Sequence, residues 1–175
     1  MRTFTHCLIF YLSTLLLAPT SQAQGENQKA QLEWHTDMAK AYDISKATNK
    51  PIFAFFTGSD WCGWCHKLQR EVFAKPEFID WAKKSVVLVE LDFPRRKELP
   101  PELVQQNYSL QQAFGVRGYP TIWVFDLNKD EATKKFTITA LGSLGYPSAA
   151  ETGKEEVKFL KDARLVMAKR NTSHP

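Results

Sequence analysis

Cysteine is scarce in this sequence, with three in 175 residues. One of them, Cys7, precedes an apolar N-terminal run, which leaves Cys62 and Cys65 for the body of the chain. A small domain that relies on disulfides for stability spaces several pairs widely, because closing a longer loop restrains the unfolded chain more. A loop of four residues restrains almost nothing, so a disulfide framework is excluded as the reason for the pair. A structural zinc site is excluded too: Cys62, Cys65 and His66 lie close together, but no second cysteine pair completes the ligand set. Long runs of like charge are also missing. The net charge is +4, and the basic clusters Arg95-Arg96-Lys97 and Lys134-Lys135 are short and far apart. They fit a solvated face, and no nucleic-acid partner is expected. There is no internal repeat and no sign of a second domain. Beyond the N-terminus, no apolar run approaches the ~20 residues that a bilayer span requires.

What is present begins with Arg2, an apolar stretch from Leu8 to Ala18, then Pro19 and the small-residue ending Ser21-Gln22-Ala23. That layout is expected to be a secretory signal peptide, residues 1–23, cleaved after Ala23; as a membrane anchor it would be too short. A polar leader over 24–30, one domain over 31–170 and a tail over 171–175 complete the expected organisation. A chain of that size can close a full hydrophobic core.

Within the domain, Gln31 to Trp34 reads as a short strand and Thr36 to Thr48 as a helix with Asp37 in its first turn. Ile52 to Phe56 is apolar without alternation, as in a strand buried on both faces. Helical spacing follows from Cys62 to Ala74, with a break at Lys75-Pro76 and a shorter helix from Glu77 to Lys83. Val86 to Asp92 is a second buried strand, Phe93 to Pro101 a loop, and Glu102 to Phe114 a helix stopped by Gly115. Thr121 to Phe125 and Phe136 to Leu141 are strands about a turn at Asp126–Asp130. After a loop over Gly142–Ala150, a helix from Glu151 to Lys169 carries the stripe Val157, Leu160, Arg164, Met167. The order implies a single α/β domain, a mixed central sheet with helices on both faces.

The chemistry centres on Trp61-Cys62-Gly63-Trp64-Cys65-His66. The same letters fit a dithiol that exchanges with disulfides and a C-x-x-C-H haem attachment site. Covalent haem would need a second axial ligand opposite His66. Met38, Met167, His35 and His174 are available, but none sits in a recognisable ligand loop. The strand that ends just before Cys62 also leaves no room for a haem crevice, so no cofactor and no metal are expected. That strand instead sets Cys62 at a helix N-terminus, where unpaired N–H groups stabilise a thiolate. Cys65, about one turn on, is close enough to close a disulfide and more shielded. Cys62 is the expected attacking sulfur and Cys65 the resolving one.

Trp61-Cys62-Gly63-Trp64-Cys65, Gly118-Tyr119-Pro120-Thr121 and Gly142 together resemble the thioredoxin-like family: its W-C-G-x-C motif, its cis-proline motif and the glycine in the loop after its last strand. The likeness runs from Leu32 to Lys169 and is greatest to exported single-domain bacterial members. It implies a thioredoxin-like α/β fold, a cis Tyr119–Pro120 bond beside the cysteines, and a groove there that pairs with an extended substrate segment. It also implies a periplasmic, monomeric protein-disulfide oxidoreductase with a redox-active Cys62–Cys65 disulfide. Its partners would be exported proteins carrying thiols or disulfides, and a membrane electron donor. Trp61, Gly63, Trp64, Tyr119 and Pro120 are the residues implied for substrate binding.

Two departures from the family matter. The strand before the motif lacks the buried aspartate that commonly relays the proton of the second cysteine. Glu90, in the next strand, is either the carboxylate that takes over this task or a residue turned to solvent. Trp64 stands where many thioredoxins carry proline; it adds no cation beside Cys62, and a reductase-like couple is expected. Trp61 and Trp64 are either contact surface for partner proteins or, for Trp61, packing at the domain edge. The competing function is a redox-inert module that offers the Pro120 groove to a partner.

Overall fold

The computed structural model describes residues 32–133 and 135–170. The expected signal peptide, leader and C-terminal tail, together with Gln31 of the first expected strand, lie outside the described residues.

Ile52–Thr57 forms β2, buried at every position as its unbroken apolar run requires. β3, Val87–Asp92, pairs with it in parallel, setting Phe55 opposite Glu90 and Thr57 opposite Asp92. β1 is only Trp34–His35, parallel on the outer edge of β3. β4, Thr121–Lys129, runs antiparallel to β2, and β5, Phe136–Leu144, antiparallel to β4. The strand order is β1-β3-β2-β4-β5, a mixed sheet.

Helices cover both faces. One face carries α2 (Gly63–Leu68), its π-helical continuation Gln69–Phe73, α3 (Pro76–Ser85) and α5 (Glu155–Ala168). Their buried side chains, among them Leu68, Phe73, Phe78 and Phe159, meet Phe53 and Phe55 of β2. On the other face, Ala41 and Ile44 of α1 (Met38–Thr48) and Leu110 of α4 (Pro101–Ala113) join Phe56, Val89 and Phe125.

Local chemistry explains where several boundaries differ from the sequence reading. Asp37 is not in the first turn of α1 but caps it, its Oδ1 accepting from the N–H groups of Ala39 at 2.7 Å and Lys40 at 3.1 Å. Pro76 breaks one helix only by starting the next, at a position where its missing N–H costs nothing. The β4–β5 turn lies at 130–135 rather than 126–130: Asp130 Oδ1 accepts from the N–H groups of Ala132 and Thr133. Asp126 can remain inside β4 because Arg170 Nε meets both its carboxylate oxygens at 3.0 Å.

Gly142 is a residue of β5, not of a loop. A Cβ there would stand 3.2 Å from Val166 of α5, so the glycine permits a close strand–helix approach. The buried stripe of α5 is Phe159, Leu160, Ala163 and Val166, whereas Val157 and Arg164 are exposed. The stripe is rotated from the expected one because Phe159 packs among the rings of Phe53, Phe73 and Phe78.

Candidate active site

β2 ends at Thr57, and the turn Gly58–Trp61 delivers Cys62 to the N-cap of α2. Cys62 and Cys65 are joined by a disulfide, their Cα atoms 5.2 Å apart. Both are nearly closed off, Cys62 at 5% exposure and Cys65 at zero. Cys62 Sγ accepts the Cys65 N–H at 3.2 Å, so the sulfur itself caps the helix, and the carbonyl of Cys62 accepts from His66 N–H.

The turn is fastened to the loop that follows β3. Ser59 N–H and Ser59 Oγ donate to the carboxylate of Asp92 at 2.8 and 2.6 Å, and Lys97 Nζ reaches Asp92 Oδ2 at 2.8 Å. Asp60 accepts from three successive main-chain amides, those of Arg95, Arg96 and Lys97, while the Arg96 guanidinium donates to the Asp60 carbonyl. The Arg95 amide above all holds the Asp60 carboxyl below its usual range, with Arg96 and Lys97 acting in the same direction. Trp61 Nε1 donates to the Phe93 carbonyl at 2.8 Å. The indole lies so close over Gly58 that a Cβ there would stand 2.4 Å from it, and only glycine fits.

Sequence reasoning gave Gly58, Ser59, Asp60, Asp92 and Arg95 no role in the site. The two segments are more than thirty residues apart, and each alone reads as an ordinary polar loop.

On the opposite wall, the Tyr119–Pro120 peptide bond is cis. The Tyr119 ring sits edge-on to Trp61 at 5.8 Å and stacked on Phe93 at 5.2 Å, and its hydroxyl accepts from Gln111 Nε2 at 2.6 Å. Burial, with the neighbouring Tyr108, pushes the Tyr119 hydroxyl up to about 12. Trp61 is thus half-buried and wedged between the loops, whereas Trp64 is 57% exposed. Trp64 leans on Tyr146 at 5.0 Å, with Lys67 Nζ 5.2 Å from the one ring and 4.8 Å from the other. The Tyr146 hydroxyl donates to Glu71 at 2.5 Å. Gly63 is exposed, with open space where a Cβ would go.

His66 has a structural place in the turn. Its ring is half-buried, and Nε2 is hydrogen-bonded to the Ser59 carbonyl at 2.8 Å, bracing the turn. Among the described residues, no cluster of three or more His, Cys, Asp or Glu side chains is placed to hold a metal.

Glu90 alternates with Val89 and Leu91, which face α1, and so shares the sheet face of Leu88 and of the cluster that contains Cys65. It is half-buried. Burial raises its carboxyl above the usual value, the nearby Asp92 adds to this, and Lys97 opposes it. Thr57, on the same face and opposite Asp92, has a buried hydroxyl with no hydrogen-bond partner among the described residues.

The family model described as "Thioredoxin-like domain" matches residues 38–140, more than half of the chain. The chain belongs to the thioredoxin-like family. Among its thioredoxin-like relatives, "Disulfide bond reductase DsbH" of Chlamydia pneumoniae is 37% identical over 130 residues, covering 70% of this chain and 76% of that protein. "Thioredoxin-related protein DsbJ" of the same organism is 30% identical over 145 residues, covering 81% of this chain but only 40% of that longer protein. The solved structure titled "DsbH Oxidoreductase" superposes with a TM-score of 0.64 at 32% identity, covering 79% of this chain and 86% of that one. With a disulfide in the C-x-x-C position of this fold, the chain is a thiol–disulfide oxidoreductase.

Proposed function

We propose that this oxidoreductase works as a reductase of protein disulfides outside the cytosol, with Cys62 as nucleophile and Cys65 as resolving thiol. The observation that carries the assignment of roles is the cap: when the pair is reduced, the N–H that now meets Cys62 Sγ faces a thiolate, the reactive form. The thiolate attacks one sulfur of a substrate disulfide, forming a mixed disulfide and releasing the other sulfur as thiolate. Cys65 gives up its proton, attacks Cys62 Sγ and releases the second substrate thiolate. Two electrons pass from the Cys62/Cys65 dithiol to the substrate, whose sulfurs take up two protons, and an external dithiol donor must restore the pair. Trp61, Gly63, Trp64, Tyr119 and Pro120 line the place where the substrate segment lies. The N-terminal pattern and the reductase named among the relatives support an exported, periplasmic setting with protein thiols and disulfides as partners.

Reductase direction is favoured by the uncharged Gly63-Trp64 spacer, which adds no cation to stabilise the reduced form. The Cys62/Cys65 potential, measured by equilibration with a thiol buffer, is expected near the thioredoxin value of about −270 mV; one near about −120 mV would make the protein an oxidant.

Glu90 is the carboxylate we assign to the Cys65 proton, because it is the half-buried acid on the cysteine face of β3. The carboxylate form is the base, so resolution should speed up as pH rises through the raised Glu90 value. Glu90→Gln should flatten that limb of the profile; an unchanged profile removes the relay. A raised folded-state value also means that Glu90 contributes stability below its ordinary value of 4.5 and loses it as pH rises through the folded one. The Gln variant should therefore melt higher than the parent at pH 7, with the gap closing toward pH 4.

A further inference from the structure

The rim of the disulfide holds a cation with no carboxylate partner among the described residues. Arg95 is exposed, and its guanidinium lies 3.7 Å from the centre of the Trp61 ring, one residue from Cys62. Its main-chain N–H is committed to Asp60, but its side chain meets no carboxylate among the described residues. Of the acids bonded to these loops, Asp60 is taken up by three main-chain amides and Asp92 by Ser59 and Lys97. Glu98, exposed three residues further on, makes no ion pair with Arg95. A second exposed cation, Arg117, stands two residues before Tyr119 on the cis-proline side, again with no carboxylate partner among the described residues.

The stacking matters physically. A guanidinium lying flat on an indole keeps its edge N–H donors free for a carboxylate while its apolar face is covered. The anchor is rigid, since Trp61 is hydrogen-bonded to Phe93 and packed on Gly58 and Tyr119, so little side-chain freedom remains to be lost on binding.

We infer that Arg95, held on Trp61, is a specificity-determining residue that selects substrate segments carrying Asp or Glu beside the disulfide. The inference rests on the thiol–disulfide reading above and narrows its substrate class. Charge complementarity of this kind acts mainly on the encounter rate and weakens with salt.

Three synthetic peptides with the same disulfide loop, flanked by Glu, Gln or Lys, test it. Each is mixed with the dithiothreitol-reduced full chain freed of reductant, and second-order exchange rates are read by stopped flow. For the parent protein the Glu peptide should exceed the Lys peptide by about fivefold at low salt, the scale of one exposed charge pair, and the ratio should shrink in 0.5 M salt. Arg95→Ala should lower the ratio toward one, Arg95→Glu should lower it further, and Arg95→Lys should restore part of it. Loss of packing or a shifted Cys62 thiolate would move all three peptides together and leave the ratio intact. A parent protein that reduces all three equally, or a ratio unchanged in Arg95→Ala, overturns the inference alone. A parent that exchanges with none of them overturns the thiol–disulfide reading as well.

Discussion

Cys62→Ser should abolish disulfide exchange, taking insulin reduction down to the rate without enzyme, while Cys65→Ser should stop after one step with the substrate still attached. The difference follows from the geometry. Cys62 is the sulfur at the N-cap, reached by the Cys65 N–H, and a serine hydroxyl there remains protonated and unreactive at neutral pH. Cys65 is fully buried one turn into α2, placed to attack Cys62 rather than an outside molecule. Its loss leaves the first attack intact but removes the group that releases the product. Mass spectrometry of Cys65→Ser after mixing with a disulfide peptide should therefore show an adduct of one peptide chain on Cys62, cleared by added thiol. Equal insulin reduction by the parent and Cys62→Ser would point instead to a redox-inert module presenting the Pro120 groove. An adduct on Cys65 in the Cys62 variant would exchange the two roles.

Phe53→Ala should cost about 3–5 kcal/mol of folding stability, the range for deleting a large buried aromatic side chain. Phe53, the second residue of β2, is fully buried, with the rings of Trp34, Phe73, Phe78, Trp81 and Phe159 all centred 6.0–6.3 Å away. Those neighbours come from β1, the π-helical turn, α3 and α5, so no one element can relax into the space without leaving the others. Close packing makes the lost contacts add to the lost burial. For a domain of this size the thermal midpoint should fall by roughly 10 °C, read by circular dichroism. Leu165→Ala, at a position 61% exposed, should move it by less than about 2 °C. A Phe53→Ala midpoint within a few degrees of the parent would mean that this aromatic cluster is not the centre of the core.

The parts legible in the sequence share one property: local pattern decides them. Ile52 to Phe56 has no alternation, and the structure buries every one of those side chains. The α/β order, the mixed sheet and the C-x-x-C pair after a strand follow from periods of 2 and 3.6 and from breakers such as Gly115. Where a single anchor overrides the period, the reading slips. In α5 the ring of Phe159 turns the helix so that Val157 is 58% exposed, and in β4 the Arg170 contact keeps Asp126 in the strand. Gly142 looked like a loop residue because glycine is a breaker, yet Val166 of α5 is the reason for it.

By itself, then, the sequence determined that this chain is an α/β domain with a reactive cysteine pair at the start of a helix. Short-range spacing is enough to place strand, turn, Cys62 and Cys65 in that order. Only the tertiary structure decided what surrounds the pair. Residues 58–61 meet residues 92–97 through the Asp60 carboxylate and the Trp61 indole; Glu90 shares the sheet face of the cysteine cluster; His66 braces the turn; and Arg95 stands on Trp61. Such contacts join segments tens of residues apart, and they form when strand pairing brings the two loops to one end of the sheet, a closure that local pattern does not encode.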